Sequence, residues 1–347
     1  SAKRMTLVKN ALTTFKPPLG LRGAHPQTIS ASLKLRVKSA KKRCPALFNE
    51  STTAHILDCG PDEQGVPSRL KCYVTLQPRA KGTFVLMHGW EGHEDSAYLI
   101  SMAATLYEAG YNIIRPMLRD HGHTHGLNEG AYHSGRMNEV MGALRVIQAQ
   151  WATGGFYLLG FSLGGNFTLR AALRAPGEGV QIHRAFALGP MVNPGVTMKK
   201  LDAGMALMGG VYRWYFLKKA KHTLASKQKH FPQKYSFEAL LKSVKGFESL
   251  NTLYAEQFTP YGNYDQYLAS YTLLGDALAA LIVPTLIIAA EDDPLCPATD
   301  LHNLVKPATL TLDIQPHGGH CGFTQGWDLR NWAEQRVLAQ LASDQKV

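Results

Sequence analysis

The chain has 347 residues, 45% of them hydrophobic and 18% charged, with 32 glycines and 18 prolines. That length and composition supply one large α/β domain or two ordinary ones with a real core, and exclude disordered, collagen-like and disulfide-stapled chains. The formal charge of +11 sits in two segments: residues 1–43 carry eleven Lys/Arg and no acid, and residues 199–245 carry eleven against Asp202 and Glu238, leaving 15 basic and 24 acidic residues elsewhere. Such segments form either a solvated surface or a patch that attracts an anionic membrane. No zinc-finger, RRM or KH pattern accompanies them, so nucleic acid is not expected as a partner. No apolar run approaches the ~20 residues of a membrane-spanning helix. The five cysteines (Cys44, Cys59, Cys72, Cys296, Cys321) show no Cys-x-x-Cys spacing, and Ser1-Ala-Lys-Arg-Met leads into mixed polar sequence rather than an apolar leader. A reducing, cytoplasmic setting is the expectation.

Residues 1–50 form a basic segment expected to wrap the core, with His25-Pro26-Gln27-Thr28 read as an ordered turn. Beyond it, 53–59 and 69–76 read as strands around the turn-rich Gly60–Gly65. Residues 82–88 form an apolar run suited to a buried parallel strand. Leu99, Met102, Ala103 and Leu106 share a helical face that Asp95 or Ser96 can cap and Gly110 can end. Strands follow at 112–118, 156–161, 182–188, 285–290 and 309–314. Helical faces appear at Met137–Ile147, after Leu163, and at Trp332–Leu341. Strand–helix alternation of this kind builds a mainly parallel sheet flanked by helices. The interval between the sixth and seventh strands is too long for one crossover and carries its own helical face (Phe237, Leu240, Leu241, Val244, Phe247). A helical cap at 193–282 is expected there, inserted into a core of 51–192 and 283–347.

Gly160-Phe161-Ser162-Leu163-Gly164 fits a nucleophile elbow: a strand precedes Ser162, a helix follows, and glycines flank a turn too tight for side chains. A serine hydroxyl needs a base, and the base needs an orienting carboxylate, in the chain order Ser, acid, His. The strand ending near 290 runs into Glu291-Asp292-Asp293-Pro294, and the strand ending near 314 into His317-Gly318-Gly319-His320. Asp293 and His320 are the assignments, with Asp292 and His317 as alternatives. Oxyanion donors are expected at the Leu163 N–H and at the Trp90 N–H of His88-Gly89-Trp90-Glu91-Gly92. His88, Gly89, Phe161 and His121 are expected around the pocket. The alternating His121, His123 and His125 are read as structural or pocket-edge residues over a metal site. Cys296 and Cys321 read as buried fillers beside the acid and base loops. In the cap, Met205, Met208, Val211, Tyr212, Trp214, Tyr215, Phe216 and Leu217 beside Lys218, Lys219 and Lys221 could line an acyl tunnel, face an anionic lipid surface, or simply form the cap's own core.

With these elements in order over 53–345, the chain resembles the α/β-hydrolase superfamily. Phe15-Lys16-Pro17-Pro18, His25-Pro26-Gln27-Thr28, His88–Gly92, Gly160–Asn166, Asp292-Asp293-Pro294 and Gly318–Phe323 are together similar to the YheT-like hydrolases, relatives of the mammalian abhydrolase-domain lipases. The loop Leu118–Gly126 departs from that pattern in its wealth of histidine. The resemblance implies an α/β-hydrolase fold and a serine carboxylester hydrolase acting on small-molecule or lipid esters through an acyl-enzyme, with no cofactor and no metal. Two other readings stand beside it: an acyltransferase on the same triad, or a non-catalytic scaffold binding a membrane or partner.

Overall fold

The computed structural model describes residues 14–203, 209–244, 246–326 and 329–344. Residues 1–13 of the basic segment, together with Met205 and Met208, lie outside the described residues, as do the side chains of Val211, Tyr212 and Leu240. Eight strands form one sheet: β1 (Thr52–Pro61), β2 (Pro67–Thr75), β3 (Gly82–Met87), β4 (Asn112–Pro116), β5 (Gly155–Phe161), β6 (Arg184–Leu188), β7 (Thr285–Ala290) and β8 (Leu310–Gln315). Their spatial order is β1-β2-β4-β3-β5-β6-β7-β8. The β1–β2 and β2–β4 pairs are antiparallel and every later pair is parallel.

The helices are α1 (Ala24–Ala31), α2 (Lys34–Arg43), α3 (Ala97–Glu108), α4 (Asn138–Trp151), α5 (Leu163–Arg174), α6 (Pro194–Ala203), α7 (Gly209–His230), α8 (Glu238–Ser243), α9 (Phe247–Phe258), α10 (Tyr264–Ala269), α11 (Ala298–His302) and α12 (Trp332–Asp344). Alternation along the central strands splits the core in two. Val85 and Met87 face a layer built with α4 and α5. Phe84 and Leu86 face a second layer, with α2, α3 and α12. Both faces are therefore covered, and all six residues of β3 and of β7 are buried. That is why these strands read as continuous apolar runs rather than alternating ones.

Registers Met87↔Gly160, Phe161↔Leu188 and Ala290↔Gln315 bring the carboxyl ends of β3, β5, β6, β7 and β8 to one edge. The loops leaving that edge carry the functional candidates. Helices α6–α10 fill the interval between β6 and β7. Their own apolar cluster joins Ala220, Leu224, Tyr235, Phe237, Val244 and Leu250 to Ala131 of the core.

Three local expectations differ from what is seen. His25–Thr28 is ordered, as expected, but as part of a helix, α1. The face Phe237–Phe247 is split between α8 and α9, because Gly246 is extended and Asp202 of α6 accepts the Phe247 and Glu248 amides at 2.7 and 2.9 Å, starting a new helix there. Ser96 stands at the start of α3, but its hydroxyl accepts the His93 amide (2.9 Å) instead of capping the helix.

A buried ion network fastens the β1–β2 hairpin to the loops beyond β4. Asp62 receives Arg136 at 2.7 Å and Arg119 at 3.3 Å, and Arg119 also pairs with Glu139 at 2.5 Å; all four side chains are 2% exposed. Burial pushes the Glu139 carboxyl up to about 6 against the opposing pull of Arg119 and Arg136. A second desolvated pair joins cap to core: the Lys227 ammonium of α7 donates to Asp120 Oδ1 (2.9 Å) and to the carbonyls of His125, Asn128 and Gly130.

Candidate active site

The elbow after β5 explains its own glycines. Ser162 has φ +54° and ψ −116°, a backbone state costing about 1–3 kcal/mol for a residue with a side chain. A Cβ on Gly160 would stand 2.1 Å from the Gly164 carbonyl oxygen, and one on Gly164 would stand 2.4 Å from the carbonyl oxygens of Met87 and His88. Only glycine fits at either position, and the turn holds Ser162 at the sheet edge with α5 starting directly behind it.

Three loops then bring side chains together that lie up to 158 residues apart. His320 Nε2 is 2.9 Å from Ser162 Oγ, and His320 Nδ1 is 2.8 Å from Asp293 Oδ2. Asp293 Oδ1 accepts the Leu295 and Cys296 amides at 2.8 and 2.9 Å, which fixes the carboxylate's orientation. With Oδ2 accepting from Nδ1–H, the Nε2 lone pair is directed at the serine hydroxyl. Burial disfavours an imidazolium, the adjoining Asp293 carboxylate favours it through charge and hydrogen bond, and the net direction is a His320 pKa above its usual value. The neighbouring thiols add little charge near neutrality, since burial pushes Cys321 up to about 12 and raises Cys296 as well.

The runner-up residues form a separate pair. Asp292 Oδ1 accepts the Gly319 amide (2.8 Å), and its other oxygen lies 3.4 Å from the half-exposed His317 ring. Neither is hydrogen-bonded to Ser162.

Opposite the elbow, Gly89 lies against Ser162: a Cβ there would stand 3.5 Å from Ser162 Cβ. The Gly89 amide donates to Tyr98 Oη at 2.9 Å, which secures the turn. Among the described residues neither the Leu163 nor the Trp90 amide donates to another group, so both remain available to a ligand oxygen. The Trp90 indole stacks on Phe216 and meets Phe247 edge-on, packing against cap helices α7 and α9.

A small cavity of about 70 Å³ opens beside this turn. Trp90, Leu163, Met191, Met198, Leu224 and Leu250 supply apolar walls, and Tyr132, Tyr254, Tyr267 and Tyr271 a belt of phenols. His88, Gly89, Phe161 and His121 do not line it; they form the layer that supports it. His88 is fully buried, accepts the Leu118 amide at Nε2 (3.1 Å) and donates from Nδ1 to the Gly89 carbonyl (2.7 Å). Burial lowers its pKa to about 3, so it is a neutral pin between two loops. His121 packs on His88 and Tyr132, and burial lowers its pKa to about 4.

Asp120, Gly122 and His123 all have positive φ. The turn therefore scatters the three histidines rather than aligning them, and among the described residues the one group of three metal-type ligands with atoms within 4.8 Å is Asp293, Cys296 and His320. Sequence reasoning passed over Glu91, whose carboxyl lines the cavity, accepts from Thr223 Oγ1 of α7 (2.8 Å) and is pushed up to about 7 by burial. Its place beside Trp90 in the His88–Gly92 turn was the available signal.

Residues 82–326 match the family described as the α/β hydrolase fold. YheT of Escherichia coli strain K12, carried under a candidate-esterase name, is 26% identical over 268 residues, covering 75% of this chain and 76% of YheT. The similarly named slr0264 of Synechocystis is 25% identical over 369 residues, covering 96% and 95%. Among solved structures, a membrane phospholipase A superposes with a TM-score of 0.54 at 16% identity, over 92% of this chain and 96% of that one. The Pyrococcus furiosus esterase Pf2001 superposes with 0.51 at 16%, over 84% and 91%. The elbow, the parallel sheet and a family match spanning most of the length lead to one conclusion: this chain belongs to the α/β-hydrolase fold family.

Proposed function

We propose that the protein is a serine carboxylester hydrolase with Ser162 as nucleophile, His320 as base and Asp293 as orienting acid. The observation that carries this reading is the unbroken hydrogen-bond chain from Asp293 Oδ2 through the imidazole to Ser162 Oγ. Ser162 Oγ attacks the ester carbonyl while Nε2 takes its proton, and the Asp293 carboxylate stabilises the resulting imidazolium. The Leu163 and Trp90 amides receive the oxyanion, each such donor commonly worth ~2.7–4 kcal/mol of barrier. His320 then returns the proton to the leaving alcohol. Water, deprotonated by the same imidazole, releases the acid from Ser162.

The tyrosine-belted, apolar cavity under the cap suits the acyl part of a medium-length or lipid-like ester. The basic cap helix supports peripheral contact with an anionic membrane: Trp214 is 62% and Tyr215 44% exposed, with Lys218 and Lys219 over their rings. No helix among the described residues is long and apolar enough to cross a bilayer. A cytoplasmic enzyme is part of the same proposal.

Fluorophosphonate labelling and a p-nitrophenyl ester series test it. Wild type should be labelled and Ser162→Ala should not, with hydrolysis rising from acetyl toward medium chains. Absence of label on folded wild type would end the catalytic reading, and a flat chain-length profile would remove the acyl assignment of the cavity.

A further inference from the structure

The described part of the basic N-terminal segment ends at the base. Thr28 Oγ1 of α1 donates to the Ala24 carbonyl (2.8 Å) and accepts the backbone amide of His320 itself (2.9 Å). The first bond commits the hydroxyl proton and turns a lone pair toward His320 N–H. One residue earlier, Gln27 brackets Thr324: its Oε1 accepts the Thr324 amide at 2.8 Å and its Nε2 donates to the Thr324 carbonyl at 3.1 Å. Ser30 Oγ meets Thr324 Oγ1 at 2.6 Å, and the buried Arg36 of α2 donates to the Ser30 carbonyl (2.8 Å) and to Thr324 Oγ1.

The fit leaves no slack. A Cβ on Gly319 would lie 2.4 Å from the Ala24 carbonyl oxygen, and one on Gly322 would lie 2.4 Å from that of Gln27. His320 thus sits in a loop whose backbone is strained just after it, with the non-glycine residues Cys321 at φ +60° and Phe323 at φ +48°. The loop is gripped on the α1 side by Thr28 and on the other by Asp292.

We infer that Thr28 is a positioning residue for the base: its hydroxyl holds the His320 backbone so that the imidazole meets Asp293 and Ser162 at once, and α1 and α2 are therefore part of the active-site machinery. The inference rests on the triad proposed above. An amide held by a single side-chain acceptor, within a strained loop, sets the direction of the Cα–Cβ bond from which the ring hangs. A displacement of about 1 Å at the ring costs on the order of 10²-fold in rate.

The experiment compares wild type, Thr28→Val and Thr28→Ser in the full chain for melting temperature, kcat and KM on a p-nitrophenyl ester, and rate of fluorophosphonate labelling. Valine keeps the shape and removes the acceptor; serine restores it. The expected result is a loss of about ten- to a hundredfold in kcat and labelling rate for Thr28→Val at unchanged KM, largely recovered in Thr28→Ser. Wild-type kcat in folded Thr28→Val, or a loss that Thr28→Ser fails to recover, would overturn the inference. Should Thr28→Val not fold, Thr28→Ala poses the same test. If wild type itself is not labelled, the triad has failed, a result distinct from labelled wild type with an indifferent Thr28.

Discussion

Replacing Asp293 by asparagine probes the site with almost no change in shape. Oδ1 of Asp293 accepts two buried amides, from Leu295 and Cys296, and an inverted asparagine would leave both facing an NH₂ group. Orphaning buried amides costs about 1–3 kcal/mol each, so the side chain keeps its oxygen there and turns its NH₂ toward His320 Nδ1. A donor facing Nδ1 forces that nitrogen to accept, and the ring proton moves to Nε2, where it confronts Ser162 Oγ. The base is then in the wrong tautomer. The expected loss in kcat is about 10⁴-fold, or ~5.4 kcal/mol of barrier. The pH profile should move as well. In wild type the neutral base accumulates only as pH rises through a His320 pKa raised by Asp293, so kcat/KM climbs with pH and its acid limb lies above that of an ordinary histidine. Without the carboxylate, burial acts unopposed and the limb of the residual activity shifts to lower pH. Linkage has the matching sign: stability from the His320–Asp293 pair is full below the unfolded histidine pKa and lost as pH rises through the folded one. Ester hydrolysis from pH 5 to 9 on both proteins, with circular dichroism as the folding control, is the assay. A folded Asp293→Asn enzyme retaining a tenth of wild-type activity, or one with an unmoved acid limb, would refute the reasoning.

Two further outcomes are expected. Arg136→Met should leave the buried Asp62, whose Oδ1 accepts the Gln64 and Val66 amides, with the longer Arg119 contact as its one remaining ion pair, and lower stability by about 3 kcal/mol in urea titration; a loss under 1 kcal/mol would mean the network is not a mutual support. Wild type should co-sediment with phosphatidylserine vesicles but not with neutral ones, and Trp214→Ser combined with Lys218→Glu should abolish this without altering hydrolysis of a soluble ester. Equal recovery with both vesicle types would exclude the charge-driven contact.

The strands were legible because burial on both faces leaves an unmistakable apolar run, as in 82–87 and 285–290. The Ser162, Asp293 and His320 positions were legible because the fold delivers strand ends to one edge in chain order. What escaped notice had no hydrophobic signature. Helix α1 buries Gln27, Thr28, Ser30 and Ala31, and α2 buries Arg36 and Ala40, so their inner faces are polar or small and their partners lie almost 300 residues away. Apolar periodicity is blind to such helices. The break between α8 and α9 depends on Asp202, more than forty residues upstream. The histidines at 121, 123 and 125 were read as structural or pocket-edge residues, and the positive φ values at Asp120 and His123, which no periodicity announces, bend the segment that carries them.

The ammonium of Lys227, 1% exposed and ringed by four oxygen acceptors, has consequences for how a substrate gets in. Hinging α7 away as a rigid lid would break all four contacts and leave the buried Asp120 carboxylate without its ammonium partner. Admission that keeps those bonds would leave α7 docked at its Lys227 end and rely on side chains that line the cavity, Trp90 among them. Turnover would then be gated by side-chain rotation rather than domain opening, and the occupied and empty enzyme would share one backbone at the Lys227 end of α7.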